Sequence, residues 1–264
     1  MMTTTTMSHH QDPPKTAGVS RPAGPPPAWV APPERVVLEF KMPKPQPFRL
    51  DPSTTALVIV DMQNCFIHSD RFPYAARSPR GKPLSGDNMA RLASPLEPNV
   101  KLLGKAREAG IPVIFIQSVR KDDNIEVTRF GKRPYLLEGT PDVMIVPELA
   151  PLPGESVVKK WGHDPWARTE LEAVLRERNI VPDNWTVVVT GISAATCHQA
   201  CVLGFSNRHY MAIIPMDCTA GPTLEDEART FAGFANMSYN HNVAFSLADR
   251  ISFEPGAPPA EKQL

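Results

Sequence analysis

The sequence predicts a doubly wound α/β fold built on a parallel sheet, and three observations carry that expectation. Short apolar runs alternate along the chain with longer segments of helical period. The runs at residues 56–60 and 187–189 are apolar without a break, as strands covered on both faces are. Each run then stops abruptly, at Asp61 and, one residue after Thr190, at Gly191. With 264 residues the chain is long enough for one large domain with a sizeable core.

The elements follow in order. Residues 1–35 hold a Thr run, His9-His10 and Pro25-Pro26-Pro27, with little to bury, which predicts a disordered or extended arm. Residues 35–40 alternate enough for a short strand or a partner-clasping arm. Residues 1–51 are thus expected to be a Pro-rich, largely irregular tail, and 52–264 the ordered domain. Residues 56–60 form the first strand. Residues 95–109 form a helix, with Ser94 as N-cap, Pro95 at its first position and Gly110 as its stop. Residues 111–116 are the next strand. Residues 118–155 are a long irregular excursion, and loops of that length commonly carry function. A short strand at 156–160 precedes a helix at 165–178, whose apolar face is Trp166, Leu171, Val174 and Leu175. Strand 185–190, helix 197–207, strand 211–216, helix 223–237 and strand 243–247 complete the pattern. Thr223-x-x-Asp226 reads as a capping pattern for the last helix. There is no internal repeat.

Composition narrows the function classes. The 28 basic and 28 acidic residues cancel, so nothing points to nucleic acid or a membrane surface. Four cysteines, at 65, 197, 201 and 218, are too sparse for a disulfide framework. Cys197, His198 and Cys201 lack the second ligand pair of a zinc site. The absence of a spanning apolar run and of a secretory h-region predicts a cytoplasmic protein.

In doubly wound folds, ligands sit beyond the carboxyl ends of the strands. Asp61, Lys160 and Cys197 each fall at or just after such an end. Taken singly, each has an ordinary reading: a loop cap, a solvated lysine, a buried structural thiol. Together they supply a carboxylate, an ammonium and a thiol, the parts of a thiolate nucleophile. Cys197 also falls where a strand turns into a helix, and a helix N-terminus favours a thiolate.

Three ordered motifs match the isochorismatase-like cysteine hydrolase superfamily. They are Val58-Ile59-Val60-Asp61-Met62-Gln63-Asn64, Val157-Val158-Lys159-Lys160, and Gly191-Ile192-Ser193-Ala194-Ala195-Thr196-Cys197. The resemblance covers roughly residues 52–250. It implies a three-layer α/β/α fold with a six-stranded parallel sheet. It implies a cysteine amidohydrolase acting through a thioester, with Asp61, Lys160 and Cys197 as its catalytic residues. The family's cis peptide falls on Ile192–Ser193, and its oxyanion hole on the backbone N–H groups of Ser193 and Cys197. Further implications are a small amide or ureido substrate and a homo-oligomer, a dimer or tetramer. The alternatives on the same scaffold are a non-catalytic ligand- or partner-binding member and a nicotinamidase-type amidase.

The chain departs from the family where the pocket is expected. Ala194-Ala195 replaces Thr-Asn or Thr-Asp, and His198 replaces Val. Asn64-Cys65-Phe66 stands for Asn-Asp-Phe, and Asp164-Pro165-Trp166 for Ser-Ala-Phe or Ser-Gly-Phe. The nucleophilic Cys argues against an isochorismatase. The stretch from Gln117 to Asp122 lacks the metal-binding Asp-x-His of nicotinamidases, so neither metal nor cofactor is expected. What remains resembles the metal-free amidases: ureidoacrylate amidohydrolases most, then biuret hydrolases and N-carbamoylsarcosine amidases. Candidate substrate contacts are Phe66, Gln117, Trp161 and His198, with Arg129, Lys132 and Arg133 for a substrate carboxylate. Trp166 reads as core.

Overall fold

The computed structural model describes residues 39–72, 86–123, 128–129, 136–236 and 242–264. The arm at 1–35, Lys132 and Arg133 lie outside the described residues.

The centre is a parallel sheet. Its strands are β2 (Thr55–Val60), β3 (Val113–Ser118), β4 (Ser156–Lys160), β5 (Thr186–Ile192), β6 (Met211–Pro215) and β8 (Val243–Ser246). They run in the order β4-β3-β2-β5-β6-β8, every neighbouring pair parallel. The six-stranded sheet expected from the resemblance is therefore present. A two-residue strand β7 (Thr219–Ala220) extends it, pairing with the carboxyl end of β5 where β6 has already diverged. From β2 the chain winds outward through β3 and β4, then returns to the other side of β2 with β5. The switch point thus lies between β2 and β5.

Every residue of β2, β3, β5 and β6 is buried, which explains their unbroken apolar runs. Alternate side chains feed two cores. Leu57, Ile59, Phe115 and Val188 pack with Leu102, Leu103 and Ala106 of α3 (Leu96–Glu108). Val58, Val60, Ile116, Val187 and Val189 face the other way. They meet α4 (Leu171–Glu177), α5 (Gln199–Ser206) and α6 (Leu224–Ala235) through Leu171, Leu175, Val202, Phe205, Phe231 and Phe234. Among the described residues, α1 (Asn64–Ile67) and α2 (Gly86–Ala93) lie in the β2–α3 connection.

Several boundaries differ from expectation. The folded body starts before Pro52: β1 (Phe48–Leu50) pairs in parallel with β9 (Ile251–Phe253), and Phe48 and Leu50 are buried in the first core. Strands of three residues are too short to register as a period. Ser94 does not cap α3; its hydroxyl donates to the Arg91 carbonyl and closes α2 instead. The helix expected over 165–178 is only α4, because Arg168 takes a left-handed φ of 61° that no helix tolerates. The Asp164 carboxylate and the Thr169 hydroxyl organise the preceding turn. Thr223 caps α6 as expected, accepting from the Asp226 amide at 3.1 Å.

Candidate active site

The three strand-end residues converge at the switch point. Asp61 leaves β2 with a φ of 53°, a left-handed conformation that Asp tolerates better than most residues. Gly191 in β5 has a φ of 97°, and a Cβ there would stand 2.0 Å from the Val60 carbonyl oxygen. Only glycine lets the two strands approach so closely just before their ends. The Ile192–Ser193 peptide is cis, at the position the family resemblance implies. A π-turn, Ala194–His198, then carries Cys197 into α5.

Lys160 is the hub, with no exposed surface. Its Nζ lies 2.8 Å from Asp61 Oδ2, 2.6 Å from Ser118 Oγ, 3.1 Å from the Gly162 carbonyl and 3.1 Å from Cys197 Sγ. Ser118 Oγ in turn donates to Asp61 Oδ2 at 3.2 Å. An ammonium has three protons for these four acceptors, so the set can rearrange as charge moves. Asp61 Oδ1 is buried without a hydrogen-bond partner. It is the unfilled acceptor of the site.

Burial is the largest influence on the Cys197 thiol, and with the Asp61 charge it outweighs Lys160 and pushes the thiol up to about 12. This corrects the expectation of a thiolate favoured by a helix N-terminus. The residue lies in the π-turn ahead of α5 and rests as a neutral thiol. For Lys160, burial works against the ammonium, but the Asp61 carboxylate and the hydrogen bonds to Asp61 and to the Cys197 sulfur win, and its pKa stands above the ordinary lysine value.

The other expected contacts divide. Phe66 is half-buried against Cys65, Val119, Leu136 and Val143. Trp161, 37% exposed beside the lysine, lies under Lys121 Nζ at 5.3 Å from its ring centroid. Gln117 is otherwise engaged: its amide donates to the Val143 carbonyl at 2.7 Å. His198 is fully buried between strands, its Nε2 3.1 Å from the Val189 carbonyl and 3.3 Å from Thr219 Oγ1, so it does not face a ligand. Burial lowers it to about 4, the bond to Val189 opposing. Trp166 is half-buried against the second core, edge-on to Phe205 at 4.8 Å and seated on Gly204. Arg129 is exposed on the excursion.

Residues not singled out from sequence complete the site. Gln63, fully buried, brackets Ser118 with both ends of its amide: Nε2 donates to the Ser118 carbonyl and Oε1 accepts the Ser118 amide, each at 2.9 Å. The same Nε2 reaches the Val143 carbonyl at 2.8 Å and so pins the excursion. His163, three residues past Lys160, places Nδ1 3.3 Å from Cys197 Sγ. A cavity of about 780 Å³ opens at the opposite, amino-terminal edge of the sheet, lined by Thr55, Asp183, Trp185 and His209, remote from this chemistry. Among the described residues no three His, Cys, Asp or Glu side chains cluster as metal ligands, and no helix is long and apolar enough to cross a membrane.

The isochorismatase domain family matches residues 55–245, spanning the sheet and all three strand-end residues. The chain belongs to this family. Its curated relatives include the ureidoacrylate amidohydrolase RutB of Pseudomonas syringae pv. syringae strain B728a, 30% identical over 71% of this chain and 80% of the relative. RutB of Rhizobium rhizogenes strain K84 is 29% identical over 77% and 86%. Among solved structures, the N-carbamoylsarcosine amidase of Thermoplasma acidophilum superposes with a TM-score of 0.54 at 24% identity, covering 74% of this chain and 97% of that one. A cysteine hydrolase of Pseudomonas syringae pv. phaseolicola 1448A gives 0.58 at 22% identity, covering 79% and 95%. These structures share the fold.

Proposed function

We propose that this chain is a cysteine amidohydrolase that cleaves a linear amide or ureido C–N bond of a small molecule through a thioester on Cys197. The observation that carries the reading is the single ammonium of Lys160, 2.8 Å from the Asp61 carboxylate and 3.1 Å from the Cys197 sulfur in a buried site. The chain is a hydrolase of non-peptide C–N bonds, in keeping with the named activity of its RutB relatives.

With burial and the Asp61 charge pushing the thiol up to about 12, the resting site holds a thiol rather than a free thiolate at pH 7. Proton transfer must therefore accompany attack. Asp61 Oδ1 takes the thiol proton as sulfur bonds to the carbonyl carbon. The negative charge moves from Asp61 by way of the sulfur to the carbonyl oxygen, while Lys160 stays beside Asp61 and the sulfur. The buried site keeps its net charge, which avoids the large cost of an uncompensated buried ion. Backbone N–H groups of Ser193 and Cys197 receive the oxyanion, each donor contributing about 3 kcal/mol. The C–N bond breaks, and the protonated Asp61 delivers its proton to the departing nitrogen. Water then hydrolyses the thioester. Phe66 and Trp161 wall the substrate, and no metal or cofactor has a role. In this reading the chain works as a homo-oligomer, a dimer or tetramer, which light scattering would test.

An ammonia-release screen over ureido acids, N-carbamoyl amino acids and simple amides tests the reading. Turnover of at least one class, abolished in Cys197→Ala, is expected. Turnover that survives in Cys197→Ala contradicts it.

A further inference from the structure

We propose that His163 is a second proton-transfer group of this site, serving hydrolysis of the acyl-enzyme as Asp61 serves its formation. The inference rests on the thioester reading above.

Two sides of the Cys197 sulfur are occupied differently. Lys160 approaches from the interior, with no exposed surface, and Asp61 beside it is only 2% exposed. His163 approaches from solvent: it is an exposed residue, and its Nδ1 lies 3.3 Å from Sγ. The first half-reaction needs an acceptor for the thiol proton, and the orphaned Asp61 Oδ1 supplies it. The second half-reaction differs. Its nucleophile is a water that arrives from outside, and its leaving group is the sulfur itself. The group on the solvent side of that sulfur is the imidazole.

In the neutral tautomer protonated at Nε2, Nδ1 carries a lone pair toward the sulfur. The step then balances. Nδ1 takes one proton of the water as its oxygen bonds to the thioester carbonyl carbon. The C–S bond breaks, its electron pair remaining on sulfur. The imidazolium Nδ1–H returns that proton to the sulfur across the same 3.3 Å. The second water proton leaves with the acid product. The enzyme is restored with a neutral thiol and a neutral imidazole. Protonating the sulfur matters here, because burial and the Asp61 charge, which push the thiol up to about 12, make an unprotonated thiolate a poor leaving group.

The probe is p-nitrophenyl acetate, which acylates a reactive cysteine and reports acylation by its nitrophenolate. With enzyme in excess, nitrophenolate release measures acylation, and mass spectrometry of the Cys197 peptide measures loss of the acetyl group. His163→Ala and His163→Phe should acylate within about threefold of the parent. Their deacylation should slow by about 10²-fold or more, the ordinary contribution of a positioned acid–base group. Added imidazole should restore deacylation in His163→Ala, a rescue that lost packing would not show. Equal slowing of both steps, unchanged deacylation in either variant, or no rescue by imidazole would overturn the assignment. A parent enzyme whose Cys197 never carries acetyl would instead overturn the nucleophile reading itself, and this inference with it.

Discussion

Replacing Lys160 by Met removes the one cation of the buried cluster while keeping most of the side chain's volume. At 2.8 Å and an effective dielectric of about 20, the attraction between Lys160 and Asp61 is about 6 kcal/mol. Part of that offsets desolvation of two groups exposed by only 0% and 2%. Measured losses on deleting one member of such a pair are about 3–5 kcal/mol, and that is the expected cost of Lys160→Met at pH 7. The double variant Asp61→Asn/Lys160→Met leaves no stranded charge. It should be less destabilised than Lys160→Met alone, with a coupling of about 2 kcal/mol or more between the two sites. Urea denaturation followed by circular dichroism gives all four corners of the cycle. All three variants should lack turnover, so stability and activity part company in the double variant. A coupling under about 0.5 kcal/mol would refute the buried-pair reasoning, as would a Lys160→Met cost under about 1 kcal/mol.

Further outcomes follow from other residues. His198 titrates near 4 when folded against 6.5 when unfolded, so between those values the unfolded state binds the extra proton. Stability should therefore fall as pH drops through that window, by up to about 3 kcal/mol; His198→Gln should flatten this acid limb in urea titrations, and an unchanged slope would contradict it. Gly191→Ala should cost about 3 kcal/mol or more, because its Cβ would stand 2.0 Å from the Val60 carbonyl oxygen. Gly233→Ala in α6, with no atom within 4 Å of the new Cβ, should instead add about 0.5–1 kcal/mol. Urea midpoints for the two variants should move in opposite directions. Prolonged chelation should leave turnover unchanged; activity lost to chelation and restored by zinc, manganese or iron would reverse that expectation.

The strand ends were legible because continuous apolar runs mark parallel strands, and the residue that ends such a run stands at the sheet's carboxyl edge. Asp61 ends such a run, Lys160 closes the short strand Ser156–Lys160, and Cys197 follows in the turn after β5. Cys201 was also separable from Cys197, and it is fully buried in the second core. Side-chain direction was not legible. Gln117 and Ser118 are neighbours, yet Ser118 bridges Lys160 and Asp61 while Gln117 holds Val143. His198 follows Cys197 directly but turns between β5 and β7, since successive residues of the turn point different ways. His163 gave one signal, an imidazole three residues past a strand-end lysine. Its partner lies 34 residues further on, a separation that only the fold closes. The thiol's protonation state also needed the structure, because burial and the Asp61 charge outweigh the helix end. β1 and β9 escaped notice because each has three residues and the first is set among prolines.

The central claim is that Cys197 carries the acyl group. The most direct measurement is mass spectrometry of enzyme quenched during turnover of an amide or ureido substrate, with each of the four buried cysteines mapped separately. The account predicts a mass increment equal to the acyl fragment on the Cys197 peptide alone. The increment should be absent in Cys197→Ala and kept in Cys201→Ala, which should retain most of its turnover. An adduct on Cys65, Cys201 or Cys218, or undiminished turnover in Cys197→Ala, would contradict it.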